Sequence, residues 1–339
     1  GPELAEDHST SMLMNAGGWK GMHAMDAIAL GDGPATFVDL IVQEFQWSRS
    51  LMTILLQYTP RYFMALSPRH RVQFVFCQMC YPLLAGFMAL MFLFPIVALL
   101  CDVRYAEVTF PAFLAHVWPS TLALLILVGC VRRDGFLRPY DAKVLGWEKV
   151  AFAFAQWPWV LLGIAMAVRD RLFGGFVDFR VTPKGSGVVA MIPWAVLLPY
   201  AVLAMMSLLP VLLVEHISDA AGFYIFALIN AIIYTVLFFV IAHKHLQENQ
   251  IRIFNWPLRT AAQMGCVVLL SGFIMVGFVE RTNAALVALT DTGGKIKIFK
   301  PYFPVSGAGR STTNSPVMAY DPDWYSQLLN SLISQRTGK

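Results

Sequence analysis

The sequence predicts a mainly α-helical protein that crosses a membrane several times, and three observations support this fold class. First, 57% of its 339 residues are hydrophobic and only 14% are charged, whereas soluble domains carry about 25% charged residues. Second, the apolar residues gather in blocks of the roughly 20 residues that a helix needs to cross a bilayer. Third, Lys and Arg crowd some of the segments between these blocks and are scarce in others, as the positive-inside rule describes for polytopic proteins.

The composition excludes several classes of protein. The low charge excludes an ordinary cytosolic enzyme, a disordered chain and a disulfide-stapled secreted domain. The net charge of +4 is small and scattered, so we expect no nucleic-acid partner. The five cysteines lie in or beside apolar blocks, and the single CxxC pair, Cys77 and Cys80, has no second pair and no nearby histidine. We therefore expect buried, inert thiols and no zinc site.

The first 71 residues are polar and contain no run long enough to span a bilayer. A Gly-Asp-Gly-Pro turn at 31–34 separates a short N-terminal helical pattern from a second helix, which Thr36 or Asp39 would cap. We divide this part into two segments, 1–36 and 37–71. The second segment, 37–71, is expected to form helices at the membrane interface.

Five apolar blocks follow, and we predict that each forms a transmembrane helix: 73–100, 108–131, 188–214, 222–242 and 260–279. A sixth block, 150–168, fits either a span or an amphipathic helix in the interface. The basic segments after the second and fourth blocks are expected in the cytoplasm, and this alternation requires that the sixth block does not cross. We therefore predict an interface helix over 147–172. The same parity places the tail, 281–339, outside the cytoplasm. Residues 292–314 are rich in Gly, Ser, Thr and Pro and are expected to form an irregular extension, with a short helix near 324–333 after it.

The first of three polar motifs is Glu6-Asp7, followed by a Ser/Thr run. Asp7 fits two roles. It would either cap the short helix that follows or act as a general base toward an acceptor hydroxyl.

The second motif surrounds Trp47. On a helix, Gln43, Gln46 and Trp47 share a face through their i, i+3 and i+4 spacing. Two amides and an indole on one face are typical of a sugar-binding surface. The alternative is an amphipathic interfacial helix whose Trp lies in the aromatic belt.

The third motif runs from Phe179 to Gly187 and reads as a loop, because it contains Pro183, Gly185 and Gly187. Lys184 is a point charge on a flexible stem, which suits contact with a phosphate. The alternative is a basic loop that touches anionic lipid headgroups.

Together and in this order, the Glu-Asp pair, the Gln-x-x-x-Trp helix and the Phe-x-Val-Thr-x-Lys-Gly loop resemble the C-terminal half of the cellulose-synthase-like, processive family 2 glycosyltransferases. The resemblance covers about residues 5–245. It implies that 1–36 end an α/β catalytic domain of the GT-A type and that 72–280 form a transmembrane channel, with a gating loop at 176–187.

The resemblance also implies roles for single residues. Asp7, beside Glu6, would be the general base, and Gln43 and Trp47 would border the acceptor site. Gln46 replaces the arginine of the family motif and cannot supply its charged, bidentate contact to a diphosphate; Arg49 would partly compensate. The gating-loop residues would close over the nucleotide sugar, and they are Phe179, Val181, Thr182 and Lys184.

The function that the resemblance implies is an inverting, processive enzyme that extends a β-glucan from UDP-glucose and passes the growing chain across the bacterial inner membrane. A divalent metal, Mg²⁺ or Mn²⁺, would be bound mainly by a preceding N-terminal half, and we expect no metal ligands in this chain. An export partner on the periplasmic side would meet the tail. The linkage stays open between β-1,3, β-1,4 and mixed, and the Gln46 departure disfavours cellulose.

Two other functions compete with this one. The first is a non-processive glycosyltransferase that acts on a lipid-linked sugar. The second is a non-enzymatic channel or transporter subunit, which would carry charged residues inside its spans; the apolar blocks contain almost none between their ends.

Overall fold

A computed structural model describes the helical part of the chain and a short hairpin in the tail. The described residues are 5–22, 24, 27, 31, 33–34, 36–105, 110–137, 143–144, 146–174, 192–215, 217, 219–248, 258–290, 299–302 and 317–320. Six of the described helices are long and apolar enough to cross a membrane. The chain is thus mainly α-helical and fits a multi-pass membrane protein, as predicted.

The N-terminal region contains two helices before the first span. Helix α1 covers Glu6–Ala16, and helix α2 covers Phe37–Thr53. Thr36 caps α2 as predicted, because its Oγ1 accepts a hydrogen bond from the Asp39 backbone N–H at 3.1 Å and donates to Asp39 Oδ2 at 2.7 Å.

Helix α2 continues without a break into a widened turn. Residues Ile54–Tyr58 form a π-helical turn, and α3 (Thr59–Tyr62) and a 3₁₀ turn (Phe63–Ala65) follow. Pro60 supplies the physical reason, since it has no N–H to donate to the carbonyl four residues earlier and its ring clashes with that carbonyl.

The six long helices follow in chain order. They are α4 (Pro68–Cys101), α5 (Phe110–Arg133), α6 (Trp147–Phe173), α7 (Trp194–Leu213), α8 (Phe223–Glu248) and α9 (Leu258–Thr290). Five of them coincide with the five predicted spans. Helices α8 and α9 run beyond the predicted ends at 242 and 279. The extension of α8 is polar, whereas that of α9 passes through the polar residues 280–283 and ends in the Ala- and Leu-rich stretch 284–289. Ala and Leu favour a helix, so α9 continues past the polar residues.

Helix α6 agrees with the predicted boundaries within one residue. It also meets the length and composition of a span, so six helices qualify where we expected about five. Its buried residues include Gln156, Val160, Gly163, Ala167 and Asp170, which recur every three or four positions and form one stripe. This stripe packs against α2, and its two polar members are buried within the protein.

The chain divides into two compact units. The first comprises 1–93, 147–202 and 234–267, and the second comprises 94–146, 203–233 and 268–339. In the first unit, Met12, Ile54, Leu66 and Phe74 form a buried apolar cluster that joins α1, the π turn and the start of α4.

Two tryptophans of α6 are tied to tyrosines of the first unit. Trp157 Nε1 donates to the Tyr234 hydroxyl at 2.8 Å, and Trp159 Nε1 donates to the Tyr200 hydroxyl at 3.0 Å. The Tyr200 hydroxyl in turn donates to the Ala155 carbonyl at 2.7 Å. These contacts satisfy both indoles with partners on α7 and α8, so they connect α6 to the spans.

In the second unit, α9 is anchored near its end. Arg281 Nε donates to the Val211 carbonyl at 3.0 Å, and the Arg281 guanidinium lies 5.5 Å from the centre of the Tyr224 ring. Helix α9 therefore continues through the first residues of the predicted tail.

The described part of the tail contains a β-hairpin. Its first strand lies within 292–314, which corrects the prediction of an irregular extension there. The helix predicted near 324–333 lies outside the described residues. Strand β1 (Phe299–Tyr302) pairs antiparallel with β2 (Val317–Tyr320), with Phe299 opposite Tyr320. Strands of four residues carry too weak a local pattern to be recognised, because they are defined by pairing with each other.

The cysteines also differ from expectation. Cys77 and Cys80 are exposed on the surface of α4, and both are free thiols. The expectation of burial was therefore wrong for these two residues. Their apolar neighbours in the sequence belong to a face of α4 that is turned away from the protein, where lipid is expected.

Candidate functional site

Asp7 and Glu6 occupy the first turn of α1. The N-cap position is Ala5, with a left-handed backbone (φ 45°, ψ 60°) and no side-chain cap. The alternative role of Asp7 as a helix cap is therefore wrong. Both carboxylates are exposed, and their negative charge at the N-terminal end stabilises α1 through the helix dipole.

His8, next to Asp7, anchors this turn to the protein. Its Nε2 lies 2.9 Å from Gln78 Nε2 on α4, and its ring meets Phe74 edge to face at 5.3 Å. Gln78 Oε1 accepts a hydrogen bond from the Thr59 hydroxyl at 2.8 Å. Burial lowers the pKa of His8 below its ordinary value of 6.5, which favours the neutral imidazole that this contact requires as an acceptor.

The face of α2 around Trp47 differs from residue to residue in exposure. Gln43 is half-buried and Gln46 is buried, whereas Trp47 keeps 44% of its surface exposed between buried neighbours. An exposed indole on a helix that is otherwise packed is suited to stacking on a ligand ring. The three residues thus lie on one helix, as their spacing predicted.

Two buried polar atoms on α2 lack partners. Gln46 Oε1 and Ser50 Oγ, which are one helical turn apart, make no hydrogen bond with the described residues. An unsatisfied buried acceptor is costly. Gln46 stands where the motif of the resembled family has an arginine. Its free Oε1 accepts hydrogen bonds, whereas a guanidinium would only donate them.

Arg49 forms a buried ion pair. Its Nε and Nη2 donate to Asp170 Oδ2 of α6 at 3.0 and 2.5 Å, and Arg169 Nη2 donates to the other oxygen of Asp170 at 3.3 Å. The side chains of Arg49 and Asp170 are 11% and 1% exposed. The guanidinium is thus committed to a protein carboxylate in this structure.

Gly163 allows α6 to approach α2 this closely. A Cβ atom at this position would lie 2.6 Å from the Phe45 carbonyl oxygen and still closer to Ser48 Oγ. The missing side chain at Gly163 and the Arg49–Asp170 pair together hold α6 on the helix that carries Trp47.

Glu44 is a buried carboxyl group that the sequence motifs did not indicate as functional. It is 5% exposed and accepts a hydrogen bond from the Tyr81 hydroxyl of α4 at 3.1 Å. Burial raises the pKa of Glu44 above 4.5, and the Tyr81 hydrogen bond opposes this rise. Its position inside the Gln-x-x-x-Trp motif is visible in the sequence, but its burial is not.

The structure brings only part of the predicted site together. Gln43, Gln46, Trp47 and Arg49 lie on α2, and no hydrogen bond or ion pair among the described residues joins them to Glu6 or Asp7. The gating-loop residues lie outside the described part of the chain, and they are Phe179, Val181, Thr182 and Lys184.

The described residues offer no candidate metal centre. Within them, no group of three or more His, Cys, Asp or Glu side chains is placed to hold a metal ion. The described residues therefore offer no set of ligands for the Mg²⁺ or Mn²⁺ that the family resemblance implies.

Comparison with known proteins found no relative of this chain. No family model, no curated protein and no solved structure matches the chain.

Proposed function

We propose that this chain is part of an inverting, processive membrane glycosyltransferase that extends a β-glucan from UDP-glucose. The observation that carries the proposal is Asp7. Its carboxylate stands within the Glu-Asp motif, is exposed in the first turn of α1 and has no capping duty. The ordered Gln-x-x-x-Trp and Phe-x-Val-Thr-x-Lys-Gly motifs supply the context in which a general base is needed.

The proposed reaction is a single displacement. Asp7 accepts the proton of the acceptor hydroxyl while the hydroxyl oxygen forms a bond to the anomeric carbon of glucose. The bond between that carbon and the diphosphate oxygen breaks, so UDP leaves with the electron pair and the anomeric configuration inverts. A positioned base of this kind contributes about 10²–10⁴ in rate.

Trp47 has the role of a stacking platform in this proposal. Its exposed indole would hold the terminal sugar of the glucan, and Gln43 on the same helix would hydrogen-bond sugar hydroxyls. Holding the acceptor in an attacking geometry lowers the entropic part of the barrier.

The Asp7→Asn substitution tests the catalytic assignment. In the complete enzyme we expect no polymer from UDP-[¹⁴C]glucose in membrane vesicles, because the amide cannot accept the proton. The matched control is Asp134→Asn, which makes the same chemical change at an exposed carboxylate of the second unit. Polymer from Asp7→Asn at the control level, with equal protein in the membrane, would disprove the role of Asp7 as the base.

Lys184 provides a second test, directed at the donor. We propose that Lys184 meets the diphosphate, so Lys184→Ala should raise the KM for UDP-glucose more than it raises the KM for the acceptor. An unchanged dependence on UDP-glucose contradicts this role.

The product distinguishes the competing functions. A processive enzyme makes long chains, a non-processive enzyme adds one or a few sugars to a lipid, and a channel subunit incorporates no label. Digestion of the product with β-1,3- and β-1,4-specific glucanases then identifies the linkage. Protease treatment from the periplasmic side tests whether the tail after 281 is exposed there, in the proposed bacterial inner membrane, for an export partner.

A further inference from the structure

A cleft of about 340 Å³ opens in the first unit, where the start of α2, the first turns of α6 and the last turns of α8 meet. Its walls are mainly apolar and include Phe37, Phe152 and Ile241. Lys244 and His245 line it from the end of α8. The candidate catalytic and sugar-binding residues do not line it, so the cleft is a separate site.

The lining changes character along α8. Leu237, Val240, Ile241 and Lys244 all line the cleft and are spaced as i, i+3, i+4 and i+7, so they lie on one face of the helix. With a rise of 1.5 Å per residue, Lys244 lies about 10 Å along the helix axis from Leu237. The first three residues belong to the predicted span 222–242, and Lys244 comes just after it. The cleft therefore passes from the apolar part of α8 to its basic end.

The cleft is positively charged where it reaches the end of α8. Lys244 is exposed, and none of the ion pairs among the described residues involves it. His243 beside it is also exposed, and its ring stacks on Phe239 at 5.4 Å. Thr36 offers no additional donor, because its hydroxyl is used by Asp39. The C-terminal end of a helix favours a cation in this place.

We infer that this cleft binds an anionic glycerophospholipid, with one acyl chain between α2, α6 and α8 and the headgroup phosphate at Lys244. Apart from Thr36, Lys244 and His245 the lining is apolar, so a soluble anion or a sugar would leave most of the walls without a polar contact. A zwitterionic headgroup would bring its own ammonium toward Lys244. Among these ligands, an anionic lipid has both the apolar chain and the charge that the lining complements.

The site has a structural consequence for α2. Phe37, the first residue of α2, lines the cleft, and Trp47 lies on the same helix. A bound lipid therefore packs against the start of the helix that carries the indole. The inference does not depend on the proposed glycosyltransferase activity.

Lipid retention measured by native mass spectrometry tests the inference. The purified full chain in detergent is mixed with phosphatidylglycerol or phosphatidylcholine that carry identical palmitoyl and oleoyl chains. We expect the wild type to retain more phosphatidylglycerol than phosphatidylcholine. Lys244→Ala should weaken phosphatidylglycerol binding about fivefold, which corresponds to about 1 kcal/mol per cation at a membrane surface.

Two further variants separate the cleft from general surface charge. Arg132→Ala removes an exposed cation at the basic end of α5 and should keep the preference. Val240→Trp places a large ring in the cleft and should reduce retention of both lipids. Equal retention of the two lipids by the wild type, an Arg132→Ala effect as large as that of Lys244→Ala, or unchanged retention in Val240→Trp would overturn the inference.

Discussion

The Asp170→Asn substitution probes the packing of α6 on α2 directly. In the wild type, two N–H groups of Arg49 donate to one oxygen of the Asp170 carboxylate, at 3.0 and 2.5 Å. Asparagine keeps the volume of the side chain but removes its charge. The buried guanidinium would then lose its counter-ion and keep only hydrogen bonds to a neutral amide oxygen.

The expected magnitude follows from burial. Removing one partner of a buried ion pair costs about 3–5 kcal/mol, because the remaining charge is desolvated without compensation. The Arg49 and Asp170 side chains are 11% and 1% exposed, which places the pair in this class. The amide oxygen of asparagine still accepts a hydrogen bond, so we expect a loss near the lower end, about 3 kcal/mol.

The assay is unfolding of the full chain in mixed micelles by SDS, followed by far-UV circular dichroism. Asp134→Asn is the matched control, because the Arg133–Asp134 pair has side chains that are 77% and 49% exposed. Exposed pairs contribute at most about 1 kcal/mol. A double variant, Arg49→Met with Asp170→Leu, should recover most of the loss, since apolar residues of similar volume often replace a buried pair without cost.

Two outcomes would refute this reasoning. If Asp170→Asn lowers the unfolding free energy no more than Asp134→Asn, the pair is effectively solvated. If the double variant is as unstable as Asp170→Asn alone, the loss arises from packing volume and not from an unpaired charge.

Three further predictions use the same unfolding assay. Gly163→Ala should cost about 1–3 kcal/mol through overpacking, because its Cβ would lie 2.6 Å from a carbonyl oxygen of α2. The control is Gly86→Ala, whose Cβ would meet nothing within 4 Å beyond its own stretch of α4; it should not lower the unfolding free energy, because Ala favours a helix over Gly. Equal effects of the two substitutions would contradict the close approach of α6 to α2. Burial raises the pKa of Glu44 above 4.5, so the unfolding free energy of the wild type should fall as the pH rises above 4.5. Glu44→Gln has no ionisable group at this position, so its unfolding free energy relative to the wild type should increase from pH 4 to 8. A difference between the two proteins that does not change with pH would contradict the raised pKa of Glu44. Burial lowers the pKa of His8 below 6.5. Acidification from pH 7.5 to 5 should therefore lower the unfolding free energy of the wild type but not that of His8→Asn. Identical pH profiles of the two proteins would contradict the burial of the His8 imidazole.

Most of the helical framework follows from local sequence. Each predicted span appears as a helix, because an apolar block of about 20 residues in a chain with little charge has few alternatives in lipid. The cap at Thr36 was also readable, since Ser, Thr, Asp and Asn at this position satisfy helix N–H groups. The helix ends at Glu248 and Thr290 and the β1–β2 hairpin were not predicted. An apolar block is judged to end at its first polar cluster, whereas a helix passes through such a cluster, and short strands carry a weak local signal.

The candidate site was predictable only in part. The spacing of Gln43, Gln46 and Trp47 predicted a shared face on a helix. Helix α2 contains all three, but Gln46 is buried and Trp47 is exposed. The motif did not reveal that Glu44 is buried against Tyr81. It also did not reveal that Asp7 lies past an uncapped N-terminus, since a Glu-Asp pair before a Ser/Thr run fits both a cap and a free carboxylate.

The sequence alone determined the class of the protein and the order of its helices, because hydrophobic block length and charge placement are local properties of the chain. Only the tertiary structure decided how those helices use their polar residues. Arg49 meets Asp170 across 121 positions of sequence, and Gln78 meets His8 across 70. Such pairs depend on which helix faces pack together. The Arg49–Asp170 pair forms because Gly163 has no side chain and α6 can approach α2 closely.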